Sequence, residues 1–195
     1  MKSSILFVFS FLLVAHGLQA QQHPDFFAQS MQLNKTGMYV LGGWALLNMS
    51  SGAYGWATQT GHQKYFWQMN TAWNLVNAGI AGYAFYSFSQ MDVSAMTDGE
   101  LWQSNQQIKR LYLINAGLDV LYMGTGAWLI HLAGKNEKRH DLYKGYGQSI
   151  ILQGAFLFVF DLMMYGLQHR LEKLHAILPE QFGLAPQGLM MVWRF

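Results

Sequence analysis

Four stretches of the chain are apolar, long and almost free of charge. They cover residues 37–57, 65–91, 111–132 and 146–168. The first two contain no charged residue, the third contains only Asp119, and the fourth contains only Asp161. Each is close to the roughly 20 residues that a helix needs to cross a bilayer, where helix is the favoured conformation because the backbone has no water to bond. The pattern therefore predicts an all-α, four-helix transmembrane bundle.

Residues 1–20 have the pattern of a cleavable signal peptide. Lys2 supplies the positive charge, and residues 5–15 form an apolar run that is too short to span comfortably. Ala20 is a small residue before a suitable cleavage point. The alternative is an uncleaved anchor, which would add a fifth span.

The other polar segments connect or flank the four spans. Residues 21–175 form the predicted membrane domain, and residues 176–195 form a C-terminal interfacial tail, with Pro179 expected to break the last helix. A cleaved signal puts the new N-terminus outside, so the connections at residues 58–64 and 134–144 lie inside. Lys and Arg residues are divided almost evenly between the two sides and do not decide the orientation.

Composition agrees with lipid as the surrounding solvent. Charged residues make up 11% of the chain, against about 25% in a typical soluble domain. Aromatic residues reach 15% and fall near the ends of the spans, which is typical of residues at membrane interfaces. A net charge of +2 gives no argument for nucleic acid as a partner, and the absence of Cys excludes disulfides and thiolate chemistry.

Polar side chains recur along each span with helical spacing. The stripe residues that we single out are Asn48 on the first span, Asn74 and Asn77 on the second, Asn115, Asp119 and Tyr122 on the third, and Gln153 and Asp161 on the fourth. In lipid such stripes are expected to face one another, because a polar group among acyl chains loses its hydrogen bonds. The sequence therefore predicts a buried polar network.

The hairpin formed by the last two spans should bring two carboxyl groups together. Asp119 and Asp161 are nearly equidistant from the centre of the connection between these spans, so they should lie at similar depth. By the same reasoning Asn48 should lie level with Asn74 and Asn77. Two adjacent carboxylates in an interior without water cannot both be ionised cheaply, so at least one should carry a proton near neutral pH.

Two interpretations of this carboxyl pair stay open. The functional one is a proton or cation site, since acidic residues inside a membrane often lie on ion pathways. The structural one is a network that fixes helix register, with the carboxyl groups capped by Asn115, Asn77, Tyr122 or a Trp N–H.

Other chemistry is weakly indicated. His131 and His169 fall near opposite faces, which argues against a bis-His haem, and a surface metal site at His62, His131 and His140 is a loosely spaced alternative. No catalytic triad order or phosphate loop is present. We predict no cofactor, no metal and no catalytic residue.

The spans resemble an uncharacterised family of small four-helix membrane proteins found in bacteria. The similarity covers roughly residues 35–170. It is carried by Trp44-Ala45 with Asn48, Lys64-Tyr65-Phe66 with Met69-Asn70, Trp73-Asn74 and Asn77, Asn115-Ala116-Gly117-Leu118-Asp119, and Gln153-Gly154-Ala155-Phe156 with Asp161. The resemblance implies a multi-pass protein of the bacterial cytoplasmic membrane and carries no activity with it.

Three functions fit the sequence. The first is a non-enzymatic membrane component or subunit, with the lipid bilayer and other membrane proteins as partners. The second is a small proton- or cation-coupled transporter that uses Asp119 and Asp161. The third is a membrane enzyme acting on a lipid or quinone, which would need a lateral opening that reaches the Asn residues.

Overall fold

Four long helices make up nearly all of the described chain. The computed structural model describes residues 26–92, 95–181, 183–185 and 188–190, so the predicted signal peptide lies outside the described residues. The helices are α1 (Phe26–Thr58), α2 (Gly61–Gln90), α3 (Asp98–Ala133) and α4 (His140–Gln181), with a 3-10 turn at Glu137–Arg139. Two short strands, Gly183–Ala185 and Gly188–Met190, pair antiparallel after α4. The all-α bundle of four helices is confirmed.

The helices pack as two antiparallel hairpins, α1 with α2 and α3 with α4. The hairpins meet mainly where α2 packs on α4, while α1 reaches α4 and α3 through a smaller contact. We call the end with the α1–α2 and α3–α4 connections the short-turn end, and the opposite end the termini end. An apolar core lies toward the termini end, where Leu41, Ala81, Phe160 and Met164 pack together.

The helices extend further than the predicted spans. Helix α3 begins at Asp98, inside a segment predicted as a connection, because Thr97 and Glu100 form a reciprocal capping box that satisfies the first N–H groups. Helix α4 continues to Gln181, so the prediction that Pro179 breaks it is wrong. Proline removes one hydrogen bond there, in the final turn, where little of the helix remains to be disrupted.

Only Gln59 and Thr60 separate α1 from α2. Gly61, the first residue of α2, has a φ of +57°, a left-handed conformation that L side chains rarely adopt. A substitution at this position is therefore strained even where space is available. The glycine lets the chain reverse within a turn of minimal length.

Glycines let α3 and α4 approach closely near the short-turn end. A Cβ at Gly126 would lie 2.7 Å from the carbonyl oxygen of Gly147, and a Cβ at Gly147 would lie 2.5 Å from that of Gly126. Both distances are too short for a real contact, and the obstacle is backbone. Gly124, two residues away on α3, has open space around it.

Gly124 and Gly126 lie on the same helix and allow a matched test of this close approach. Gly126→Ala is expected to push the helices apart and lower the free energy of unfolding by about 1–3 kcal/mol, as overpacking does. Gly124→Ala should instead raise it by about 0.5–1 kcal/mol, because alanine is the better helix former. Unfolding in detergent micelles measures both variants. Equal effects would contradict a close approach of α3 and α4 at this level.

Candidate functional site

The interior of the bundle is unusually polar. Its largest fully buried side chains are all polar: Gln153, Gln168, Asn34, Asn70, Asn74 and Ser149. Large apolar side chains are exposed on every helix, including Leu46, Leu75, Leu121 and Val159. In water-soluble domains the large apolar residues are the ones most often buried. The polar groups inside this bundle therefore set its specific contacts.

An amide cluster, made of Trp44, Asn48, Asn70 and Gln153, joins three helices. The Trp44 indole N–H donates to Gln153 Oε1 over 3.0 Å, and Gln153 Nε2 donates to Asn70 Oδ1. Asn70 Nδ2 in turn donates to the backbone carbonyl of Asn48 over 3.1 Å. The Trp44 ring also stacks on Phe156, with centroids 3.8 Å apart. Gln153 on α4 is therefore held by both α1 and α2.

The cluster continues along α2 through two more asparagines. Asn74 Nδ2 donates to the backbone carbonyl of Asn70 over 2.8 Å, and Asn77 Nδ2 donates to Asn74 Oδ1 over 3.4 Å. Both side chains are buried. Asn48, by contrast, is half-buried, and its backbone carbonyl accepts the bond from Asn70.

Asp119 and Asp161 form a buried carboxyl pair between α3 and α4. Asp119 is 2% exposed and Asp161 is 5% exposed, and the two carboxyl groups lie close enough to interact with each other. Side chains lean toward the N-terminus of their own helix, so on antiparallel helices these two lean toward each other. An ionised carboxylate cannot donate, so a bond between them requires one proton. Asp119 Oδ2 has no hydrogen-bond partner among the described residues.

A second polar cluster, which we call the termini cluster, lies nearer the termini end of the bundle. Ser30 Oγ lies 2.9 Å from Asn105 Oδ1 and 2.8 Å from Gln168 Oε1, and its single proton can serve only one of them at a time. Gln168 Nε2 donates to Asn34 Oδ1 over 2.9 Å, and so does the Tyr112 hydroxyl over 3.1 Å. This cluster therefore ties α1, α3 and α4 together.

Tyr112 connects the termini cluster with the carboxyl pair. Its hydroxyl bonds Asn34, and it is close enough to Asp161 to interact with the charge of that carboxyl group. The ring packs edge-on against Phe160, with centroids 6.5 Å apart. The buried polar groups thus continue from the carboxyl pair toward the termini end.

A buried ion pair lies beside the termini cluster. The Lys109 ammonium contacts the Glu172 carboxylate, and their side chains are 8% and 18% exposed. Gln106 Nε2 donates to the other Glu172 oxygen over 3.3 Å. The Lys109 ammonium also lies over the Tyr165 ring, 5.8 Å from its centroid. The charge on Lys109 is therefore compensated on more than one side.

Two of the predicted site residues do not join this network. Asn115 and Tyr122 lie on the exposed face of α3, and the Tyr122 ring packs edge-on against Trp73 with centroids 4.9 Å apart. The prediction that they belong to a buried polar site is therefore wrong. Helix α3 buries a narrow seam with a seven-residue repeat through Tyr112 and Asp119, and positions 115 and 122 fall beside that seam.

The termini cluster and the ion pair were not predicted from the sequence. The missed residues are Ser30, Asn34, Asn105, Lys109, Gln168 and Glu172. Two of them could have been predicted from a seven-residue spacing of polar residues. Asn105 lies two such repeats before Asp119, and Gln168 lies one repeat after Asp161. Ser30 and Asn34 were overlooked because they precede the apolar part of α1.

Among the described residues, no three His, Asp or Glu side chains group closely enough to hold a metal ion. His62, His131 and His140, the alternative metal ligands, form no such group there. The described interior is held by hydrogen bonds among amides and hydroxyls, with the carboxyl groups of Asp119 and Asp161 beside them.

These features define a class of helical bundle in which amides, hydroxyls and a carboxyl pair occupy the interior. The chain belongs to a family of unknown function, DUF6992, whose model matches residues 40–162. The resemblance to an uncharacterised family is therefore confirmed. No curated protein and no solved structure matches the chain. The matched range contains the amide cluster and the carboxyl pair, whereas Ser30, Asn34 and Gln168 lie outside it.

Proposed function

We propose that the protein is a multi-pass integral membrane protein whose helices cross the bilayer. The observation that carries this proposal is the outward-facing apolar surface around a polar interior. Two helical segments, Gly99–Ala133 and Glu137–Leu174, are long and apolar enough to cross a membrane by length and composition. Only 17% and 33% of their apolar windows are buried inside the bundle. The core helix of a soluble protein would be mostly buried.

Helices α1 and α2 are less apolar but expose the same kind of surface. Their Asn, Ser and Gly residues lower the mean hydropathy, and all three Asn residues of α2 are buried in the bundle. Their exposed residues include Leu47 and Tyr54 on α1, and Ile80 and Tyr83 on α2. Lipid facing these side chains, with amides on the inside, is the arrangement that a membrane favours.

Charged residues are confined to the two ends of the bundle, apart from the buried carboxyl pair. On α3 the only charged residue after Arg110 is Asp119, and the helix ends at Ala133. That stretch is about 35 Å long at 1.5 Å per residue, and the hydrocarbon core of a bilayer is about 30 Å thick. This stretch of α3 is therefore long enough to cross the hydrocarbon core. With the N-terminal signal cleaved, the short-turn end faces the cytoplasm.

Within the membrane, we assign the protein the role of a non-enzymatic component or subunit. Its connections are short, with only Gln59 and Thr60 between α1 and α2, so little of the bundle extends into water. The buried polar groups of the amide and termini clusters are mostly bonded to one another. Such interhelical bonds contribute roughly 0.6–2 kcal/mol each, which suits a role in fixing a rigid shape that other membrane proteins can bind.

Membrane extraction and gentle purification test this role. Sodium carbonate should leave the full chain in the membrane pellet. Purification of the tagged chain in mild detergent should then yield a complex of defined stoichiometry, with a mass above that of one chain. Release by carbonate would contradict membrane insertion. A chain that is always recovered alone would contradict the subunit role.

The carboxyl pair supports a second candidate function, proton or cation coupling. A shared proton between Asp119 and Asp161 is a charge that the interior can gain or lose, and Tyr112 links the pair to polar groups nearer the termini end. Replacing either residue with Asn keeps the shape and removes the exchangeable proton. We expect Asp119→Asn and Asp161→Asn each to abolish a proton flux of reconstituted liposomes. Full flux in both variants would contradict this mechanism.

A further inference from the structure

A groove opens at the short-turn end, beside the α3–α4 connection. It is lined by apolar and small residues, among them Tyr65, Ala133 and Leu142, and by the charged run from Glu137 to Asp141. Its volume is about 530 Å³, within the roughly 300–1,000 Å³ of small-molecule sites. The α1–α2 turn closes one side, since a Cβ on Gly61 would lie 3.5 Å from an Asp141 carboxylate oxygen.

The groove presents basic side chains that are available to an anion. Within the described residues, Lys138 and Arg139 take part in no ion pair, and Arg139 donates to the Tyr143 hydroxyl over 3.3 Å. Of the two carboxylates in the groove, Asp141 is already engaged by His140 Nδ1 at 3.1 Å. Basic residues outnumber acidic ones in the whole connection, residues 134–144, by four to two.

The backbone holds these basic residues in a defined turn. The Asn136 side chain accepts a hydrogen bond from the Arg139 backbone N–H over 3.1 Å, which caps the 3-10 turn. Tyr65 is held on the other side of the groove, where its ring packs edge-on against Tyr146 with centroids 6.1 Å apart. The groove therefore combines a fixed cationic rim with an aromatic wall.

We propose that this groove binds the phosphate of an anionic phospholipid, with Lys138 and Arg139 as its cationic contacts. This inference rests on the proposed membrane location, which puts the short-turn end at the level of the lipid headgroups. A free phosphate offers the same charge, but the apolar lining formed by Ala133 and Leu142 suits a ligand with an attached acyl region. Basic side chains near a membrane surface attract anionic lipid at short range.

Lipid retention measured by native mass spectrometry tests the proposal. The full chain is extracted from vesicles of phosphatidylcholine mixed with phosphatidylglycerol, and the retained lipids are counted. The wild-type chain should retain phosphatidylglycerol preferentially. In Lys138→Gln/Arg139→Gln this preference should fall by about 25-fold, because each basic side chain near anionic lipid contributes about fivefold and two are removed.

A control variant removes the same charge from the other end of the bundle. Lys35→Gln/Lys173→Gln should keep the preference, because both residues lie near the termini end. The proposal is overturned if the groove variant keeps its preference or the control loses it equally. It is also overturned if millimolar inorganic phosphate displaces the lipid. A chain that keeps its membrane location in carbonate but shows no lipid preference contradicts this inference alone, whereas loss of the membrane location contradicts the proposed function.

Discussion

Lys109→Met is expected to lower the free energy of unfolding by about 3–5 kcal/mol, the usual cost of breaking a buried ion pair. The substitution leaves the partly buried Glu172 carboxylate, 18% exposed, with the Gln106 amide as its remaining hydrogen-bond partner in the described chain. The loss comes mainly from that uncompensated charge, since methionine fills much of the volume of lysine. Denaturant unfolding in detergent micelles measures the change.

A double variant separates charge from packing. Lys109→Met/Glu172→Leu removes both charges and should recover most of the lost stability, because an apolar pair can replace a buried ion pair at little cost. Lys173→Met, at an exposed position next to Glu172, should change the free energy of unfolding by less than about 0.5 kcal/mol. If the double variant is as unstable as Lys109→Met, the ion pair is not the source of the effect.

Gln153→Leu is expected to be the most damaging single change in the amide cluster. It leaves the Trp44 indole N–H and Asn70 Oδ1 without the partners that Gln153 supplies. Each buried polar group left without a partner costs about 1–3 kcal/mol. A loss of about 2–4 kcal/mol in the free energy of unfolding should follow, together with a change in Trp fluorescence as the Trp44 environment alters.

The same substitution at an exposed position is the control. Gln107 lies on the exposed face of α3, so Gln107→Leu should have an effect of less than about 0.5 kcal/mol. Comparable losses in Gln153→Leu and Gln107→Leu would mean that the amide cluster does not stabilise the bundle.

The number and order of the helices were predictable because charge is so sparse within them. A run of about 20 residues with at most one charge has few conformations other than helix that satisfy its backbone in an apolar setting. Local length and spacing were sufficient for this result. The prediction that Asp119 and Asp161 lie at similar depth stays a prediction; the residue of α4 that approaches the Asp119 backbone is Gly154, seven residues before Asp161.

Helix ends and helix faces were harder to predict. The polar segment before Leu111 looks like a connection, yet the capping box at Thr97 and Glu100 starts a helix there. Its polar residues Asn105 and Lys109 find buried partners on other helices, and a single sequence does not reveal those tertiary contacts. The side on which Asn115 falls depends on a small difference between a repeat of 3.5 and 3.6 residues.

The polar interior has a consequence for how the protein is held together. In water the bundle would expose a broad apolar surface and bury amides that gain little from leaving the solvent. In lipid the same amides have no alternative partner, so each internal hydrogen bond opposes separation of the helices. The amide cluster and the termini cluster then secure opposite halves of the bundle, with the carboxyl pair between them.

Accessibility of single cysteines tests the membrane location most directly. The chain has no native Cys, so each introduced thiol is the only one that can react. Leu75, Leu121 and Val159 are 62%, 65% and 56% exposed on the outside of the bundle, and Glu137 is exposed in the α3–α4 connection. The thiolate that reacts with a maleimide forms only where water reaches the thiol.

The four cysteine variants are labelled in opened membrane vesicles with a charged, water-soluble maleimide, and total thiol is measured after denaturation. We predict rapid labelling of Glu137→Cys and very slow labelling of Leu75→Cys, Leu121→Cys and Val159→Cys, because lipid covers these exposed faces. Labelling of all four at similar rates would contradict the account, since the apolar faces would then be in contact with water.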